Sequence, residues 1–158
     1  MKSINVLMLA AGGFLVSACE TLSMTPSELH AYNCEAMYEG ELRGHERRMQ
    51  RVGGLSIEEL ERAADRLLPA AERRFDGAIG LSSNDEYYAA FELGHRLETG
   101  EGVTADETAA LRFYTLAARH TFLVPVSMSG AGRMTQAPCP SPLANAAQDR
   151  IAALSITS

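Results

Sequence analysis

Between Ala89 and Ala118, small and large apolar residues recur at intervals that suit two helices joined by a tight turn. Ala89, Leu93, Gly94 and Leu97 fall at helical spacing and therefore line one helix face, with small residues that admit another backbone closely. Ala110, Phe113, Tyr114, Ala117 and Ala118 do the same on a second helix, alternating large and small across the contact. Between them runs Gly100-Glu101-Gly102-Val103-Thr104-Ala105-Asp106. Gly100 lies just past the first helix, where a left-handed terminal position favours glycine. Thr104 is placed to cap the second helix, with Glu107 three residues on as its capping-box partner. Asp106 adds negative charge to the first turn, which suits the helix dipole. Two glycines before a helix also suggest a phosphate cradle, but that cradle wants a preceding strand and a lysine. Lys2 is the only lysine in the chain, and no strand pattern precedes the glycines.

Taken together, Ala89, Leu93, Gly94, Gly100, Gly102, Val103, Asp106, Ala110, Phe113, Tyr114, Ala117 and Ala118 resemble the Sel1-like repeat, a tetratricopeptide-like helix–turn–helix unit. Two positions depart from the family pattern. Leu97 stands where tyrosine is usual, and Thr121 stands where a glycine would lead into the next repeat, so the array stops or is interrupted there. The resemblance implies an all-α fold of antiparallel helix–turn–helix units, a fragment of a right-handed α-α superhelix with about five helices. It also implies a surface that engages another protein. Some exported, cysteine-rich members of this family are described as β-lactamases, with a disulfide in each repeat. The repeat here, from Ala89 to Arg119, contains no cysteine.

One repeat cannot bury both faces of its helices, so neighbouring layers are required. The chain supplies them on both sides. Thr25-Pro26-Ser27-Glu28 offers an N-cap, a proline at the first helical position and a capping-box acid. The helix it opens carries Leu29, Tyr32, Ala36, Met37, Met49 and Val52 and ends at Gly53-Gly54, with Gly40 and Gly44 marking a weak point where it could break. Ser56-Ile57-Glu58-Glu59 is a second capping box, opening a stripe from Ile57 through Leu60, Ala63, Ala64, Leu67, Leu68 and Ala71 to Phe75 that Pro69 should kink or divide. Ala63, Ala64, Leu67, Ala70 and Ala71 faintly echo the second-helix spacing of the repeat. The expected organisation is therefore a diverged or non-repeat helical layer over 28–80, the repeat over 84–120 with helices near 85–98 and 105–120, and a capping helix over 141–156. Residues 121–140 are rich in Pro, Gly and Ser and read as a long loop, with Phe122-Leu123-Val124-Pro125-Val126 as a packed extended stretch.

The first eighteen residues form a separate segment. Lys2 precedes an uncharged run from Ile4 to Ala18, shorter than the ~20 residues a membrane-spanning helix needs. It has the form of a secretory signal peptide. Its end, Leu15-Val16-Ser17-Ala18-Cys19, resembles the lipobox of bacterial lipoproteins, which implies lipidation of Cys19 and cleavage after residue 18. An ordinary signal peptide cut at the same place is the alternative. Several acyl chains, each worth ~0.8 kcal/mol per buried CH₂, would make a stable membrane anchor. Residues 19–27 then form a short linker, and Glu20 leans towards outer-membrane sorting. The expected location is the bacterial cell envelope, on the periplasmic side.

Cleavage would remove Lys2 from the chain's 14 cations and leave 13 arginines against 20 acids. So acidic a chain is not expected to bind nucleic acid, which wants a basic surface. Arg43, Arg47, Arg48 and Arg51 crowd one segment, but interleaved Glu41 and Glu46 suit a solvated helix face.

Cys34 and Cys139 remain once Cys19 is assigned to lipid. In an oxidising compartment a bridge is favoured, stabilising by up to ~4.7 kcal/mol on the chain-entropy account. The alternative is a metal site on His30 and Cys34, which share a helix face, but no third and fourth ligand is evident. Glu92 and His95 have the Glu-x-x-His spacing of di-iron bundles without the second pair that such a site requires. Ser127 and Ser129 sit in a glycine-rich stretch without a nucleophile-elbow pattern. His45 and His120 have no recognisable partners in the sequence. No catalytic, metal or cofactor residue is assigned. The expected partners are the membrane, through the anchor, and an envelope protein; a cell-envelope hydrolase or a peptidoglycan-binding structural lipoprotein is the alternative.

Overall fold

The computed structural model describes residues 24–74, 82–128 and 134–157. The signal segment, Cys19 and Glu20, the end of the second apolar stripe at Phe75, and Ser129 to Gly132 lie outside the described residues. Five α-helices are present among the described residues: α1 Pro26–Gly53, α2 Ile57–Asp65, α3 Ser83–Thr99, α4 Glu107–Ala117 and α5 Pro142–Thr157. A 3-10 turn covers Ala70–Glu72, and two strands, β1 Thr121–Met128 and β2 Met134–Pro140, form a small sheet. The fold is thus all-α apart from this hairpin. The described residues contain no helix long and apolar enough to cross a membrane.

The chain separates into two compact units. The first comprises the chain up to Ala36 with Leu123–Ala137. Here the expected capping box opens α1: the Thr25 N–H donates to Glu28 Oε2 at 2.8 Å, and the Glu28 N–H to Thr25 Oγ1 at 3.3 Å. Asn33 Nδ2 donates to the Pro125 carbonyl of β1 at 2.7 Å.

The sheet corrects the expected loop over 121–140. Phe122, Val124 and Val126 are turned inward to differing degrees, with Val124 fully buried, while Leu123 and Pro125 are exposed. That is the period of a strand. Pro125 has no N–H to give to a ladder, which a two-stranded sheet tolerates because every strand in it is an edge. With only residues 129–133 between them, the strands must run antiparallel, since a parallel pair needs a crossover of a dozen or more residues.

The second unit comprises Met37–Phe122 with Pro138–Ser158. Within it α2 packs on α3, α3 on α4 and α4 on α5, each helix against its neighbour in sequence. The core joins Val52, Leu60, Ala63, Ala64, Tyr88, Ala89, Ala90, Leu93, Leu116, Ala117, Leu143 and Ala147. Ala110 and Tyr114 form a smaller cluster with Leu154 of α5. Three local expectations meet the structure with different outcomes. First, α1 does not break at its glycines. The Arg48 side chain lies back over Gly44 and reaches Glu41 at 3.0 Å, bridging the weak point. Second, of the two outcomes expected at Pro69 the stripe is divided: α2 ends at Asp65, four residues before the proline, which opens a separate 3-10 turn. Third, the arginine segment is only half solvated. Arg43 and Arg47 are exposed, but Arg48 turns inward and Arg51 Nη1 pairs with the buried Asp85 at 2.8 Å.

Candidate functional site

Helices α3 and α4 form a hairpin of neighbouring helices over the spaced residues. Ser82 and Asp85 cap α3 reciprocally, and Gly100 ends it in the left-handed region at φ 76°. Gly102 also has positive φ, at 74°. The N–H groups of Gly100 and Glu101 both donate to the Arg96 carbonyl, at 2.8 and 3.1 Å, and the Asp106 N–H reaches back to Leu97 O at 2.8 Å. The cap of α4 differs from expectation. Asp106, not Thr104, holds the position, its Oδ1 accepting the Ala109 N–H at 2.9 Å. The turn is two residues longer than the sequence suggested, so Glu107 begins the helix instead of closing a capping box.

Across the hairpin, Gly94 lets the Tyr114 ring lie flush on α3: a β-carbon there would stand 3.1 Å from two ring carbons and 3.3 Å from Ala110 O. Phe91 meets the same ring edge-on at 5.3 Å. The Tyr114 hydroxyl donates to Glu98 Oε2 at 2.7 Å, and Arg150 of α5 grips the same carboxylate from the other side. One tyrosine and one ion pair thus join three helices. Burial, aided by Glu92, pushes the Tyr114 hydroxyl up to about 12.

A polar layer that the sequence did not announce occupies the second unit. Tyr88 of α3 is fully buried, and three cationic or titratable groups surround its ring. The His45 ring of α1 lies 5.4 Å away, the His120 ring at the end of α4 lies 5.7 Å away edge-on, and the Arg48 guanidinium sits 5.6 Å over the face. Tyr87 stacks at 5.2 Å on the other side of His120. His120 Nδ1 is hydrogen-bonded to Ser141 Oγ at 2.7 Å, and the same oxygen accepts the Ala144 N–H at 3.0 Å as the cap of α5. Both residues are inaccessible, His120 at 3% and Ser141 at 0% exposure. His45 Nδ1 and the Tyr88 hydroxyl are buried without a hydrogen bond of normal geometry. Burial lowers both histidines and raises the Tyr88 phenol, so all three favour their neutral forms beside a permanent cation.

His45 and His120, which had no partners in the sequence, are therefore partnered through Tyr88 and Ser141. The signal for His45 was its place on one α1 face with Tyr38, Glu41, Arg48 and Val52 at helical spacing. Glu92 Oε1 pairs with Arg96 Nε at 2.9 Å, while His95 is exposed. Arg96 also donates to the carbonyls of Leu55 at 3.0 Å and Gly53 at 2.8 Å, clasping the turn between α1 and α2. Cys34 and Cys139 are both disulfide-bonded, which consumes the thiolate that a metal on His30 and Cys34 would need. The Ser127 side chain lies outside the described residues.

Chemically, a serine hydroxyl on a neutral imidazole resembles half of a nucleophile–base pair. Ser141 is closed to solvent and occupied as a helix cap, so its geometry suits holding α5 in place. No protein-family model matches the chain, and no curated protein or solved structure matches it.

Proposed function

We propose that the chain is an exported, lipid-anchored helical scaffold that engages another protein of the bacterial cell envelope. The observation that carries this reading is how the repeat hairpin spends its side chains. Its polar groups are tied internally: Glu92 to Arg96, Glu98 to Tyr114 and Arg150, Asp106 to its own helix. Its outward face on α4 carries Thr108, Arg112 and Thr115, an exposed stripe at helical spacing that the exposed Arg119 just past the helix extends. An internally tied hairpin with an exposed, partly basic outer stripe suits contact with a partner. The lipobox-like end at Cys19 supports the anchor, and the resemblance to Sel1-like repeats supports the contact role.

The test is site-specific photocrosslinking in intact cells. A photoreactive residue replacing Thr108 or Thr115 should give one discrete adduct, and one replacing the exposed Glu58 of α2 should not. Adducts absent from all three positions, or the same from all three, would remove the reading. Hydrolysis of a β-lactam or of cell-wall material, lost on Ser141→Ala with the fold intact, would establish the hydrolase alternative in its place.

A further inference from the structure

The polar layer around Tyr88 bears on how α1 is held. From Met37 onward, α1 contributes apolar groups to the core only at its end, through Met49 and Val52. Upstream, the groups that face the rest of the unit are Tyr38, Glu41, His45 and Arg48, and Tyr38 accepts a single hydrogen bond from Asn145 Nδ2 of α5 at 3.3 Å. This stretch is docked by rings and polar atoms in place of aliphatic packing. We infer that it is a proton-gated latch: in mildly acid solution His45 and His120 become charged, and residues 38–48 of α1 release from Tyr88 while the remaining helices stay assembled. The inference does not depend on the scaffold reading.

The charges around the two rings make the case. His45 is faced by Arg48 and Glu46 from its own helix, by Tyr88 from α3, and by His120. His120 is faced by Glu41, Arg48 and His45 from α1, by Tyr87 and Tyr88 from α3, and by Ser141 from α5. Asp85, the nearby acid of α3, holds Arg51 and the Ser82 N–H on Oδ2, while its Oδ1 is buried without a hydrogen bond. Protonating both histidines puts three cations around one phenol ring. Glu41 is the carboxylate within the layer, and it is already engaged by Arg48; Glu46 is exposed. Burial resists the charged imidazoles as well. Both histidines therefore sit below the ordinary value of 6.5 in the docked state. The released state binds more protons, so docking is at full strength above that value. It weakens as the pH falls through the docked-state values.

Hydrogen exchange of the intact chain, corrected for the intrinsic pH dependence of exchange, tests this at pH 7.5 and 5.0. Protection across residues 38–48 should be lost at pH 5.0, with α3 and α4 unchanged. The double variant His45→Gln, His120→Gln should lose that dependence on pH. Should the variant fail to fold, NMR titration of the wild-type imidazole protons decides: both must titrate below about 6.5. Unchanged protection over 38–48, equal loss in α3 and α4, or a histidine titrating at or above the ordinary value would overturn the inference.

Discussion

Glycine shows how little residue type alone says about energy here. Gly44 and Gly94 both lie inside helices, where alanine is favoured over glycine by ~1 kcal/mol. At Gly44 a β-carbon would meet only the end of the Arg48 side chain, at 3.5 Å, an ordinary contact. Gly44→Ala should therefore stabilise the protein by about 0.5–1 kcal/mol. At Gly94 the same carbon would meet the Tyr114 ring at 3.1 Å and a helix carbonyl at 3.3 Å. Neither can retreat easily, because Glu98 holds the ring's hydroxyl. Overpacking of ~1–3 kcal/mol then outweighs the helical gain, and Gly94→Ala should destabilise. Paired urea melts check both signs. Tyr114 makes a second residue-scale prediction. Its hydroxyl stays protonated in the fold to about 12 against an ordinary 10. The raised folded value means that its contribution is complete below pH 10 and is lost as the pH rises towards 12. Stability measured from pH 9 to 12 should fall less steeply in Tyr114→Phe than in the wild type, from a starting point lower by about 1 kcal/mol for the lost hydrogen bond.

At the scale of elements, legibility followed the kind of residue that does the packing. The α3–α4 hairpin could be read because alanine, glycine and leucine pack it, and their periodicity is visible without coordinates. The docked face of α1 was harder to read, because His45, Arg48 and Tyr38 occupy positions where a helix pattern expects leucine. The β1–β2 hairpin was missed because Pro125 argued against a strand, and nothing local shows that its carbonyl would be claimed by Asn33 on a distant helix. The cap of α4 was misplaced by two residues for a related reason: Thr104 and Asp106 are both good caps, and the choice depends on where the Gly100–Gly102 turn ends. This separates the two in experiment. Asp106→Ala should cost about 1 kcal/mol, and Thr104→Ala less than about 0.5 kcal/mol. Equal losses in thermal melts would show that the helix begins earlier.

For the whole molecule, the cysteines divide into two chemistries that one labelling experiment can separate. Cys34 and Cys139 are disulfide-bonded, so a thiol reagent added to denatured, unreduced protein should label neither. Reductant should expose both. Cys19, if lipidated, carries its sulfur as a thioether and should remain unlabelled in both samples. The mature N-terminus should then carry the mass of the acyl chains.

Helix α5 has a bearing on what a truncated copy of the protein would expose. Helices α2, α3 and α4 each pack on the helix that precedes or follows them in sequence, so they can assemble as they are synthesised. The groups they leave uncovered wait for residues near the end: His120 for Ser141, Glu98 for Arg150, and the Tyr114 cluster for Leu154. A copy that stopped short of Ser141 would present unsatisfied polar groups and bare aromatic surface together, the combination that makes partly folded chains prone to aggregate. Helix α5 thus closes over the groups that the helices before it leave open.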